Sequence, residues 1–142
     1  MSKFKLPKRF DATEAKEGVW FEITDEFEQS WGSFKCSLFD KTSASYRVAH
    51  QRWVRQNKKE LDTGKLTGDQ LAFKVFIDTS LHDWKGVLDG DDNEIPFSKE
   101  TAYELFADED AFFLADLVSQ KAADVRNFQG SVAVEAKEDE KK

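Results

Sequence analysis

"TGDQLAFKVFIDTSLHDWKG", residues 67–86, is the stretch on which the fold turns. Thr67 followed by Gln70 has the pattern of a capping box, in which each side chain satisfies a backbone N–H that a new helix leaves open. Phe73, Phe76, Ile77, Leu81 and Trp84 then recur at the i, i+3, i+4 spacing of a core-facing stripe. The spacing predicts one helix over 67–85, closed by Gly86 and the acidic turn behind it.

Upstream, "SASYRVAHQRWVRQNKKEL" (43–61) puts Tyr46, Ala49 and Trp53 on one face and basic residues around the rest, so a helix is expected over about 43–60. Downstream, Ser98 caps a short helix over 98–107 that carries Ala102, Leu105 and Phe106. A last helix over about 110–128 carries Leu114, Leu117, Val118, Ala122, Val125 and Phe128. Toward the N-terminus, "VWFEITDE" (19–26) and "SFKCSLFD" (33–40) alternate apolar and polar residues on either side of "FEQSWG", predicting a β-hairpin over 19–40. A lone hairpin is marginal, so it must lie on the helices or pair with another chain. Residues 1–18 read as a flexible, lysine-rich arm and 130–142 as a disordered charged tail. The expected fold is α+β and predominantly α-helical: an N-terminal hairpin and about four helices in one globular domain over 19–129.

The composition suits such a domain. The 142 residues include thirteen Phe and four Trp, and the formal net charge is −7. That chain is long enough for an aromatic core, and its acidity argues against nucleic-acid binding, which rests on phosphate neutralisation. The single Cys36 excludes an internal disulfide and suggests a reducing compartment. No stretch reaches the length of a membrane span, and the basic start "MSKFKLPKRF" lacks the apolar run of a signal peptide, so the cytoplasm is the expected location. Charge is polarised along the chain. Residues 47–65 hold six basic residues against Glu60 and Asp62, whereas 78–124 hold thirteen acidic residues against Lys85, Lys99 and Lys121. Two copies can meet basic segment to acidic segment, in a head-to-tail contact, or the segments can be two solvated faces of a monomer.

The acidic turn invites a metal reading. Asp89, Asp91, Asn93 and Glu100 occupy positions 1, 3, 5 and 12 of an EF-hand register. Position 6, however, needs a glycine for its sharp turn and holds Glu94, and position 8 holds Pro96, which has no N–H. Turn chemistry explains the composition better. His50 and the pair His82-Asp83 resemble the scattered ligands of helical metal-dependent phosphohydrolases, but such sites need further histidines and the chain has only these two. No glycine-rich phosphate loop, nucleophile elbow or Cys-His arrangement is present, and Cys36 reads as a small strand residue. No catalytic residue, metal or cofactor is therefore expected. Trp20, on the polar side of its strand, and Trp31, in the expected turn, stand out as exposed anchors for a protein partner.

The order of features resembles the tail assembly chaperones of long-tailed (siphovirus-type) bacteriophages. The resemblance runs through "EGVWFEI" (17–23), "KELDTGKL" (59–66), "HDWKGVLDGDDNEIPFSKETAYELF" (82–106) and "AADVRNF" (122–128). It implies a non-enzymatic, largely helical protein of the host cytoplasm that is absent from the mature virion. It further implies a protein that self-associates into spirals or rings, coats the tape-measure protein, recruits the major tail-tube protein, and leaves as the tube polymerises. Many such proteins also exist in a longer frameshifted form, with which the ending "EDEKK" is compatible. The candidate interface residues are Trp20 and Trp31, with basic Arg52, Arg55 and Lys58 meeting acidic Asp89, Asp91, Asp92 and Glu94 of another copy. An acidic DNA mimic that blocks a host protein is the alternative, favoured by the carboxylates and opposed by the basic helix. A metal-dependent hydrolase using His82-Asp83 is the third reading.

Overall fold

In the computed structural model, which describes residues 3–130, the elements run α1 (Ala12–Glu17), β1 (Val19–Thr24), β2 (Ser30–Cys36), α2 (Ala44–Gln56), α3 (Lys58–Asp62), α4 (Gly68–Thr79), β3 (Leu81–Lys85), α5 (Lys99–Ala107) and α6 (Phe112–Ala123). Short 3₁₀ turns lie at Glu109–Ala111 and Val125–Phe128. The fold is α+β with an N-terminal hairpin and mostly helical residues. The capping box at Thr67 forms: the Thr67 hydroxyl accepts the Gln70 N–H at 3.2 Å, and the Gln70 side chain accepts the Thr67 N–H at 2.9 Å.

The expected helix over 67–85 ends early. Helix α4 stops at Thr79, and Leu81–Lys85 is a strand that completes an antiparallel sheet of order β1-β2-β3. Trp84 pairs with Phe34 and Leu81 with Cys36, and a register shift leaves His82 as the extra residue of a bulge. A regular strand would send Leu81 and Trp84 to opposite faces; the bulge lets both be buried. Three-residue spacing of two buried side chains therefore arises here without a helix. Sheet pairing captures the segment because Ser80 already turns its carbonyl to the Ser37 N–H, 2.9 Å away.

Other boundaries move for local reasons. The helix expected over 43–60 breaks at Asn57, whose backbone (φ −120°, ψ 24°) leaves the helical region while its amide side chain donates to the Trp53 carbonyl. The helix expected over 110–128 ends at Ala123. Asp124 is extended there, and its carboxylate caps the N–H of Arg126 at 3.0 Å. Within the stretch read as an arm, Asp11 caps Thr13 and Glu14 and opens α1. Asp11 also donates its N–H to the Phe128 carbonyl, and Leu38 donates to Ala15, so this segment is stitched to both ends of the domain. The tail expected to be disordered beyond Gly130 lies outside the described residues.

One face of the sheet meets the helices. Ile23, Phe34, Cys36, Leu81 and Trp84 pack with Val75, Phe76 and Ile77 of α4, Ala102 and Phe106 of α5, and Leu114, Ala115, Val118 and Ala122 of α6. Trp84 is held from several sides. Its ring meets Phe34 at 6.1 Å and Phe97 at 5.1 Å, and its indole N–H donates to the Ile95 carbonyl at 2.7 Å. Where α4 hands over to β3, the ammonium of Lys99 donates to the carbonyls of Ile77 and Leu81. A cation at a helix C-terminus complements the helix dipole and satisfies carbonyls the helix leaves open.

Candidate protein-binding surface

The β1–β2 turn is organised by one carboxylate. Asp25 Oδ1 accepts the N–H groups of Phe27 (2.8 Å) and Gln29 (3.0 Å), while Oδ2 accepts the Trp31 indole N–H at 3.0 Å. This places Trp31 on β2 rather than in the turn: the turn spans residues 25–29 and Ser30 already pairs with Thr24. Trp31 is half-buried and lies 5.8 Å from the ring of Phe113 at the start of α6. Phe27, 77 % exposed, projects from the same turn, and Phe113 is 44 % exposed. The β1–β2 turn, β2 and α6 thus build an aromatic corner: Trp31, pinned by Asp25, meets Phe113, and Phe27 is exposed on the turn that leads into β2. Rigid aromatic surface of this kind loses little side-chain entropy on binding and is favoured at protein interfaces.

Trp20 lies on the opposite, outer side of the sheet, paired with Lys35 and 41 % exposed, with the Lys85 ammonium 4.5 Å above its ring. The two tryptophans singled out in the sequence therefore belong to different surfaces. Phe27 and Phe113 were missed. Phe27 stands among four polar neighbours in "DEFEQ", whereas Phe113, four residues before Leu117, shares a helix face with that apolar residue. Phe27 is thus an apolar side chain where the local pattern calls for a polar one, which is the available sequence signal; for Phe113 the local pattern gives none.

The basic candidates are divided between α2, with Arg52 and Arg55, and α3, with Lys58, and not all are free to meet a partner. Arg52 pairs with Asp78 at 2.9 Å, and the same carboxylate accepts the Trp53 indole at 2.6 Å and the Tyr103 hydroxyl. Arg55 and Lys58 are exposed. The acidic candidates sit on a rigid turn in which Leu88 bridges to Glu94. Asp89 Oδ1 accepts the N–H groups of Asp91 (2.8 Å) and Asn93 (3.0 Å), and Asp92 takes φ +63°. Glu94 accepts the Gly86 N–H at 2.9 Å. Asp89 and Glu94 are thus committed to building the turn, while Asp91 and Asp92 are exposed.

The groups that would serve a reaction are dispersed. Among the described residues no three of His, Cys, Asp and Glu are grouped to hold a metal ion. His50 stacks on Tyr46 at 5.6 Å, His82 Nε2 meets Ser37 Oγ at 2.9 Å, and Asp83 accepts the Trp84 N–H. Burial pushes the Cys36 thiol up to about 12, despite the Lys99 charge nearby, which leaves it protonated and unreactive at neutral pH. The surface carries two open grooves beside α4. One, of about 540 Å³, runs between α4 and α6 over Phe39, Phe73 and Phe112. The other, of about 200 Å³, lies between α4 and α5. No helix of the described residues is long and apolar enough to cross a membrane.

Comparison with known proteins places most of this chain in one family. Residues 40–142 match the family model described as YdaY prophage protein. The match begins after the hairpin, at the loop that leads into α2, so it includes the basic helix, the acidic turn and Phe113 but not Phe27, Trp20 or Trp31. None of the curated proteins and none of the solved structures compared matches the chain.

Proposed function

The chain belongs to the YdaY prophage protein family, and from that premise we propose that it is a phage tail assembly chaperone that binds other proteins and catalyses no reaction. Its client is the tape-measure protein, a long helix whose apolar stripes aggregate in water until the tail tube encloses them. The observation that carries the reading is the aromatic corner. Phe27 is 77 % exposed and Phe113 44 % exposed on a support that Asp25 and Trp31 hold rigid. Large exposed apolar side chains mark a surface that meets a partner. Each contact is small, so a coat of many copies gains strength through multivalency and still leaves stepwise. In this reading the protein works in the host cytoplasm, associates with its own copies, hands its client to the major tail-tube protein and stays out of the finished virion.

Co-expression with the long tail protein of the same phage tests the reading. The client is expected in the soluble fraction with the wild-type chain and in the pellet with Phe27→Ser, whose circular dichroism and melting temperature stay unchanged because that side chain is 77 % exposed. A client that pellets with the wild-type chain present sinks the reading. The exposed carboxylates of Asp91 and Asp92 favour a second reading, an acidic decoy for a host DNA-binding protein. A host DNA-binding protein retained on the immobilised chain and displaced by duplex DNA would support it.

A further inference from the structure

The groove between α4 and α5 is an apolar trough with a basic lip. Leu66, Phe73, Tyr103 and Phe106 line it, and Lys65 and Lys74 stand at its edge. Lys74 holds its ammonium 5.0 Å over the Trp53 ring and 5.4 Å over the Tyr103 ring. Neither lysine makes an ion pair among the described residues. An occupant of this groove therefore needs an apolar side chain with carboxylates beside it.

The chain presents such a group itself. Leu88 is 53 % exposed at the base of the acidic turn, next to Asp89 and close in sequence to exposed Asp91 and Asp92. The turn is held in shape before any contact by the Leu88–Glu94 bridge, the Ile95 N–H to Val87 carbonyl bond at 2.8 Å and the Asp89 cap. A preformed turn loses little freedom on docking. No residue of the turn lines the groove of its own chain. The turn leads into the N-terminus of α5 at Ser98, whereas the groove uses Tyr103 from the middle of that helix and Phe106 and Ala107 from its C-terminal end. We propose that the Leu88 turn of one copy docks in the α4–α5 groove of a second copy, Leu88 on the apolar floor and Asp91 and Asp92 toward Lys65 and Lys74. The two surfaces differ and both belong to every copy, so the contact is heterologous and leaves a free turn at one end and a free groove at the other. It deepens the self-association in the proposed function and rests on that part of it. It also moves the basic partner from Arg52, already paired with Asp78, to the lip of the groove.

Sedimentation velocity on the purified full chain at low salt tests the contact. The wild-type coefficient is expected to rise with concentration and to fall back when salt is added. A turn variant, Leu88→Asp/Asp91→Asn, and a groove variant, Lys65→Glu/Lys74→Gln, should each remain monomeric, with circular dichroism matching the wild type. Mixed one to one, they should form a dimer and stop there, because the turn variant keeps its groove and the groove variant keeps its turn. A wild-type chain that stays monomeric overturns the proposal, as do assembly by the turn variant alone, a mixture without dimer, and a mixture that grows beyond dimer. The turn variant changes only exposed residues, so it carries the test should Lys74→Gln loosen the fold. Self-association that follows this pattern while the tape-measure protein still pellets would leave the contact standing and remove the client. Client solubility with a strictly monomeric chain would do the reverse.

Discussion

Cys36 shows how a single side chain ties stability to pH. It sits on β2 in the core, where burial raises its thiol from 9.0 to about 12. Between those values the unfolded chain has released the proton and the folded chain still holds it, so the unfolded state binds fewer protons and stability falls as pH rises. The slope approaches about 1.4 kcal/mol per pH unit within that window. Tyr103 has the same sign from about pH 10 upward, because burial, with the Asp78 carboxylate as acceptor, favours its neutral hydroxyl. His82 works on the acid side. Burial, with Lys99 and Lys35 nearby, lowers its pKa below 6.5, so stability is lost as pH falls below that value and the unfolded histidine charges first. Urea midpoints between pH 8 and 11 should fall for the wild-type chain and fall less steeply for Cys36→Ala. An equal slope in the variant would place the proton release elsewhere.

At the scale of elements, the sheet is fastened where β2 passes β3 most closely. Gly32 has φ +104°, and a Cβ added there would lie 2.8 Å from the Lys85 carbonyl oxygen. Both the backbone conformation and the space require glycine. Gly32→Ala should cost about 1–3 kcal/mol through strain at that residue, read as a shift in the urea midpoint with α-helix content unchanged. A variant as stable as the wild type would mean that the strands separate there at no cost. The same elements show how far local reading carries. The capping box at Thr67 and the Ser98 cap, which accepts the Thr101 N–H, were legible because each involves groups three residues apart. The strand Leu81–Lys85 was not, because its partners are on β2, some 45 residues earlier, and its bulge gives Leu81 and Trp84 a helix-like spacing.

For the whole molecule, the N-terminal segment is part of the fold. Asp11 donates its N–H to Phe128, Ala15 accepts from Leu38, Arg9 accepts from the Gln129 side chain, and Glu14 accepts from Gly130. Removing residues 1–17 deletes all four contacts, so thermal or urea unfolding should show a loss of about 2–4 kcal/mol, on the order of 1 kcal/mol for each hydrogen bond. An unchanged stability would restore the flexible arm expected from its polar composition. The segment looked like a loop because α1 buries no residue and carries no apolar stripe. Its signal was the Asp11 cap with Glu14 three residues on, a pattern tied to hydrogen bonding rather than hydrophobicity.

By itself the sequence determined the α+β class, the hairpin, the caps that open α4 and α5, and the hydrogen-bonded turn at Asp89, which an EF-hand backbone could not replace. All of these depend on side-chain alternation or on hydrogen bonds spanning a few residues. Tertiary structure decided that Leu81–Lys85 becomes a strand, that Lys99 reaches the carbonyls of Ile77 and Leu81, and that Trp31 meets Phe113. Trp31 and Phe113 are 82 positions apart in the chain, and no local pattern records such a meeting. It exists only because burying one face of the sheet against α4 and α6 brings the end of the hairpin to the start of α6, where the gain from covering apolar surface outweighs local conformational preference.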